Sequence, residues 1–319
     1  MALPAIDALT DAWQGATFSA YVGRHSRAAF EFRPALSLLP IPNSIDLQSA
    51  LLLARSLRQQ EYDAVIVLDR SRWLRLAARL SRAPVTGSAR SMSPELRHES
   101  DVYLDIVREL GVRTPRSTPS IQPSPDAERL ASELLFDVSS PFAVLQTGGA
   151  RNPGVNMLDK RWPKRRIIQL ATKLERAGVA VVLSGGPGDV EITTQVANQA
   201  SIPASRILAG RADLGTLAAV LRRAAVYVGP DTGVSHVAAA VGVPTIAIFG
   251  PTNPRRYRPL GSQVQVLAPP ESWTIPDRDL RQPSATTTKA STESISVAQV
   301  VAAVHRAVNL AHGIHQCDG

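Results

Sequence analysis

Cysteine is almost absent from this 319-residue chain, Cys317 being the single one, so no disulfide framework can staple the fold. Aromatic residues make up only 5% and do not interleave with basic ones, as a single-strand nucleic-acid groove requires; nucleic acid is not an expected partner. Long apolar runs are missing too. Stretches such as 64–68 and 245–249 fall far short of the roughly 20 residues that cross a bilayer. Residues 1–13 lack a basic leader and carry Asp7 and Asp11, so no secretory signal is expected there. Lysine is also scarce: Lys160, Lys164, Lys173 and Lys289 are the only four among 35 basic residues.

What is present is ordinary for a folded chain of about two domains, with 44% hydrophobic and 19% charged residues. A cytoplasmic enzyme or binding protein is the expectation. The net charge of +8 suits anionic partners such as nucleotides or an anionic lipid surface, and arginine is well shaped for phosphate and carboxylate. A merely solvated, arginine-rich surface explains the same number.

Short apolar strands alternate with amphipathic helices throughout. In the first third, strands are expected at 17–22, 36–41 and 63–68, and a helix at 98–110 stopped by Gly111. Residues 112–126 then hold Pro115, Pro119, Pro123 and Pro125 among serines and threonines, the composition of a linker. Beyond it, strands are expected at 142–146, 179–184, 206–209, 225–229 and 245–249. A helix starts at Pro163 and ends at Gly178. Residues 276–294 are polar and aperiodic, a mobile loop by composition, and 296–311 form a last helix with Val297, Val300, Val301, Val304 and Val308 on its apolar side. Strands buried on both faces and separated by helices form parallel sheets. The expected fold is therefore α/β with two lobes, 1–124 and 125–319, and a ligand cleft at the strand ends.

Three strand-to-helix turns carry the chemistry. In Asp231-Thr-Gly-Val-Ser-His236 a strand ends just before a helix of small residues. The unpaired N–H groups at such a helix start are a ready anion site, and Gly233 lets backbone approach a ligand. Asp231 and Thr232 are equally suited to capping the helix, and His236 to a buried hydrogen bond with backbone. In Asp159-Lys-Arg-Trp-Pro163, Lys160 falls on the loop after the strand that ends in Gly148 and Gly149; it either neutralises a phosphate or belongs to a solvated basic loop. In Ser184-Gly-Gly-Pro-Gly-Asp189, Asp189 suits a ribose hydroxyl or simply a helix start. Arg255-Arg-Tyr-Arg258 is a further basic stretch, either an anion contact or a solvated loop.

Together, Asp231-Thr-Gly-Val-Ser-His236, Ala238-Ala-Ala-Val-Gly-Val-Pro244 and Phe249-Gly-Pro-Thr-Asn-Pro254 resemble the signature of glycosyltransferase family 9, best known for ADP-heptose:lipopolysaccharide heptosyltransferases. Lys160-Arg-Trp-Pro163, Gly185-Gly-Pro187 and Ala209-Gly-Arg-Ala-Asp-Leu214 follow in the family's order and spacing. The resemblance implies a GT-B fold, two Rossmann-like lobes with parallel sheets facing a central cleft, the nucleotide-sugar donor on the second lobe and the final helix packed back on the first. It implies that Lys160 and the backbone N–H groups of Thr232, Gly233 and Val234 bind the donor diphosphate. Gly148 and Gly149 would lie beside it, Asp231 and His236 would shape that site, Asp189 would contact ribose, and Ala212 to Leu214 would flank the base. It also implies inverting, metal-independent transfer without a cofactor, most simply of a heptose from an ADP-linked donor to a glycolipid or glycan acceptor. The enzyme would be cytoplasmic, with peripheral contact to the anionic inner membrane.

Family members open with a strand running into a Gly-Asp turn whose aspartate is the expected general base. This chain begins Met1-Ala-Leu-Pro-Ala-Ile6, which resembles the segment just after that turn. The first strand and the base are thus expected upstream of Met1, and the catalytic residue is unassigned. Two alternatives follow: an impaired nucleotide-sugar-binding protein, or another GT-B enzyme such as a nucleotide-sugar epimerase.

Overall fold

The structure, a computed structural model, describes residues 1–24, 26–42, 44–88, 96–114, 118–149, 151–152, 155–276 and 290–315. Most of the polar segment expected as a mobile loop, and Cys317, lie outside the described residues. The chain divides into two compact units, Met1–Pro119 and Ser120–Gly319, at a point within the proline-rich stretch.

The first unit runs α1 (Leu3–Ala12), β1 (Phe18–Gly23), a short α2 (Arg27–Phe30), β2 (Leu36–Ile41), α3 (Leu47–Gln59), β3 (Ala64–Val67), α4 (Arg72–Ser81), β4 (Val85–Ser88) and α5 (Glu99–Glu109). Its strands form two parallel pairs, β1 with β2 and β3 with β4, rather than one continuous sheet. Side chains alternate across a strand, and β3 uses both faces. Ile66 packs with Ala5, Ala8 and Leu9 of α1 and Leu104 and Val107 of α5. Val65 and Val67 pack with Leu57 of α3 and Ala78 of α4. Helix starts are capped as their sequences suggest: the carboxylate of Asp46 accepts from Ser49 N at 2.8 Å, opening α3.

The second unit runs α6 (Pro125–Leu134), β5 (Phe142–Gln146), the two-residue strands β6 (Arg151–Asn152) and β7 (Val155–Asn156), α7 (Lys164–Arg176), β8 (Ala180–Ser184), α8 (Val190–Ala200), α9 (Leu214–Arg223), β9 (Val226–Pro230), α10 (Gly233–Val241), β10 (Thr245–Ile248), α11 (Pro254–Tyr257), β11 (Val264–Leu267) and α12 (Val297–His315). One five-stranded parallel sheet, ordered β11-β10-β9-β5-β8, forms its centre. Every residue of β5, β8, β9 and β10 is buried, as expected of parallel strands with helices on both faces. The strand expected at 206–209 is reduced to a single parallel bridge between Ile207 and Leu183. α6 begins inside the stretch expected as linker, with Pro125 at its first turn and Ser124 Oγ accepting from Ala127 N at 3.2 Å. Val300, Ala303 and Val304 of α12 are fully buried in the second unit's own core.

Candidate functional site

β5 lies between β9 and β8 in the second, all-parallel sheet, so the turns after β5, β8 and β9 emerge at the same edge, where parallel strands place their C-terminal ends. The structure joins these turns through two buried carboxylates. Asp231, after β9, is 7% exposed. Its Oδ2 accepts from Lys160 Nζ at 2.8 Å and from Thr252 Oγ1 at 2.8 Å. Lys160 closes a 3-10 turn, Leu158–Lys160, just ahead of α7. One of its three N–H donors is thereby directed at Asp231, leaving the ammonium fixed beside the start of α10.

Asp189, after β8, is equally buried and fully engaged. Its Oδ2 accepts from Gly149 N at 2.9 Å and Gly186 N at 3.0 Å, and its Oδ1 accepts from Arg161 Nη2 at 2.7 Å. Arg161 Nε also donates to Gly149 O at 2.9 Å. Asp189 acts as a clamp, tying the turn after β5 to the turn after β8 and to the basic loop. The glycine pair is explained by the same packing. A Cβ on Gly148 would sit 2.0 Å from Asp189 Cγ, and one on Gly149, whose φ is +96°, would sit 2.8 Å from Thr232 Cγ2. Gly149's N–H, expected beside a diphosphate, is thus already given to Asp189.

The start of α10 is left open. Thr232 is the residue before the helix but forms no side-chain cap, and Asp231 turns to Lys160 instead, so the capping role expected of either is not filled. Ser235 N donates to Thr232 O at 3.1 Å, and the N–H groups of Gly233 and Val234 have no acceptor within the helix by its geometry. Nothing of the protein lies within 4 Å of where a Cβ on exposed Gly233 would stand. The floor of the turn is rigid: Tyr227 Oη and Ser235 Oγ are 3.1 Å apart, and Ser235 Oγ donates to Pro230 O at 2.6 Å. Burial pushes the Tyr227 hydroxyl far above the ordinary phenol range, so it stays neutral. Val234 and His236 are half-buried along the first turns of α10.

Ala212 and Leu214 flank Asp213, which caps α9 by accepting from Thr216 N at 2.7 Å. The preceding Gly210 is tight against Val190, so a Cβ there would come within 2.9 Å of Val190 Cγ2. That contact sets the loop beside the turn carrying Asp189. The basic stretch after β10 is split: Arg256 is buried with its guanidinium 5.0 Å above the Tyr257 ring, while Arg255 and Arg258 are exposed.

Four supporting side chains escaped the sequence reading. Arg161 and Thr252 lie in quoted motifs, but nothing local marks them as the partners of Asp189 and Asp231. Trp162 is buried, with Nε1 donating to Ile295 O at 2.9 Å. Thr292 Oγ1 donates to Arg161 O at 2.7 Å. The segment before α12 thereby latches the loop that carries Lys160.

Comparison with known proteins bears on the family and the fold. The model of glycosyltransferase family 9 (heptosyltransferase) matches residues 50–286. Lipopolysaccharide heptosyltransferase 3 of Escherichia coli is 24% identical over 278 residues, covering 80% of this chain and 77% of that protein. The structure of E. coli ADP-heptose lps heptosyltransferase II superposes with a TM-score of 0.74 at 20% identity, over 98% of this chain and 95% of that one. E. coli heptosyltransferase WaaC with ADP superposes at 0.66 and 20% identity, over 96% and 95%. The fold is thus GT-B, and the chain belongs to glycosyltransferase family 9 as a heptosyltransferase-like enzyme.

Proposed function

We propose that the second unit binds the diphosphate of an ADP-linked heptose and that the sugar passes, with inversion, to a glycolipid or glycan acceptor of the cell envelope. The observation that carries this reading is the uncapped start of α10 beside a lysine held by a buried carboxylate. Helix N–H groups, the positive end of the dipole and an oriented ammonium converge on one anion-sized space. The adenine and heptose identities are supported by the relatives described above, among them a structure with ADP.

In the transfer, an acceptor hydroxyl oxygen bonds to the anomeric carbon as the bond from that carbon to the diphosphate oxygen breaks. The bonding pair leaves with the nucleoside diphosphate, and the hydroxyl proton passes to a base. Lys160 and the α10 N–H groups are placed to stabilise the charge growing on the leaving group, the part a divalent cation plays in other transferases. Asp231 orients Lys160 and is a positioning residue; as a buried anion it would repel a phosphate it touched. Peripheral contact with an anionic membrane is part of the same proposal, since the acceptor class is lipid-linked. Among the described residues no helix is long and apolar enough to cross a membrane.

Calorimetric titration with ADP, UDP and GDP tests the donor assignment, with selective ADP binding as the expected result. Lys160→Ala removes a charge-assisted contact worth about 1.5–3 kcal/mol, so ADP affinity is expected to fall roughly tenfold to hundredfold. Unchanged affinity in a folded Lys160→Ala protein would remove that lysine from the site.

A further inference from the structure

The first unit carries its charge on opposite faces. α3 and α4 lie together over one face of the strands, sharing clusters that contain Ala50, Ala54, Leu57, Ala77 and Ala78. α1 and α5 cover the other face. Helices α3 and α4 contain five arginines (Arg55, Arg58, Arg72, Arg75, Arg79) and no aspartate or glutamate. Helices α1 and α5 contain six acidic residues (Asp7, Asp11, Glu99, Asp101, Asp105, Glu109) and one arginine, Arg108. On the α1–α5 side Asp7, Glu99 and Asp105 are paired with Arg33, Arg70, Arg97 and Arg108, whereas α3 and α4 bring no acid of their own to balance their arginines.

The cationic face is also greasy. Leu47, Leu51 and Leu52 are 48%, 50% and 63% exposed, and with Gln48 and Arg55 they line a shallow surface depression on α3. Beside them, the Arg72 guanidinium stacks 4.5 Å above the Trp73 ring, and Arg58 Nε donates to Leu80 O at 2.6 Å, joining the two helices. Leucines flanked by arginines, with an indole at the same level, are the composition of a helix lying in the plane of a bilayer interface. A soluble acidic partner would be matched by the arginines, yet it would leave three large leucines facing its charged groups.

We infer that the α3–α4 face of the first unit is the surface through which the protein docks on an anionic lipid bilayer. The inference deepens the proposed reading of a lipid-linked acceptor and rests on it for its purpose. Its charge and exposure are those of the first unit alone.

Flotation with vesicles of equal parts phosphatidylglycerol and phosphatidylcholine, against phosphatidylcholine alone, tests it on the full chain. Binding is expected only to the anionic vesicles and to weaken with salt. Each of Arg55→Gln and Arg79→Gln should lower partitioning about fivefold. Leu51→Ser with Leu52→Ser should abolish it, with thermal unfolding and ADP affinity unchanged. Asp11→Asn with Glu109→Gln, on the opposite face, should leave partitioning undiminished. Equal binding to both vesicle types, or anionic binding that survives the α3 and α4 substitutions, overturns the inference. So does a wild-type dimer in sedimentation velocity that Leu51→Ser with Leu52→Ser converts to monomer, which would make the face a contact between copies. Because ADP affinity is read separately, failure of the unsubstituted protein to bind the anionic vesicles while it binds ADP sinks this inference alone, and vesicle binding without ADP binding sinks the donor assignment alone.

Discussion

The two units repeat one strand–helix rhythm and differ in how completely they bury it. In the second, four parallel strands are buried at every position and the fifth at none. In the first, no strand is buried throughout, and the strands remain two separate pairs. The chemistry follows the burial. Asp189 and Asp231 sit almost out of solvent at the ends of the continuous sheet, each held by several partners, which is the support a site needs to keep its geometry. In the first unit Glu99 is comparably buried, while the pairs of Asp7 and Asp105 lie nearer the surface, and its distinguishing feature is a charged, leucine-bearing exterior. In the proposed reading, one half holds a ligand still and the other meets a surface.

The sharpest way to break that contrast is to cut one ion pair in each half. Asp189→Ala strands Arg161, 14% exposed, and frees two backbone amides. Loss of one partner of a buried pair costs about 3–5 kcal/mol. Asp7→Ala cuts the bidentate pair with Arg33, whose side chains are 18% and 30% exposed, and should cost about 1 kcal/mol or less. Urea unfolding of the two variants measures both, and equal losses would mean that burial does not separate the units. Amide hydrogen exchange sharpens the comparison further: β5, β8 and β9 should exchange about tenfold or more slowly than β1 and β3. The smallest effect expected is on α3. The Ser49 amide bonded to Asp46 holds that carboxyl below its ordinary value, so the cap is fully formed above the ordinary carboxylate range and is lost as pH falls through the lowered value. Amides at the start of α3 should fray on acidification, and Asp46→Asn, which caps without titrating, should remove that pH dependence.

Much of this was legible in the residues. Strands β2 and β5 begin and end where apolar runs do, and α7 stops at Gly178 as a helix before a left-handed glycine does. Misses came where the local signal is thin. β4 reads Val-Thr-Gly-Ser, and β11 carries Gln265 on a half-buried edge; neither shows the run or the alternation that marks a strand. The arginines of α4 obscured a helix whose buried side is mostly alanine. At the site, Lys160, Asp189 and Asp231 were visible as the right residue types at strand ends, and the family signature placed them in one pocket. Their partners were not visible. Lys160 meets Asp231 across 71 residues, and Arg161 meets Asp189 across 28.

The sequence by itself determined the α/β alternation, the glycine-rich turns and the family, because each is written in a few consecutive residues. Only the tertiary structure decided that Asp189 clamps loops, that Thr252 joins Lys160 on Asp231, that the start of α10 stays uncapped, and that the arginines of α3 and α4 come to share one face. Those outcomes depend on which strands become neighbours and which helix covers which face. A side chain's partner is set by that arrangement in space, and no local pattern of residues encodes it.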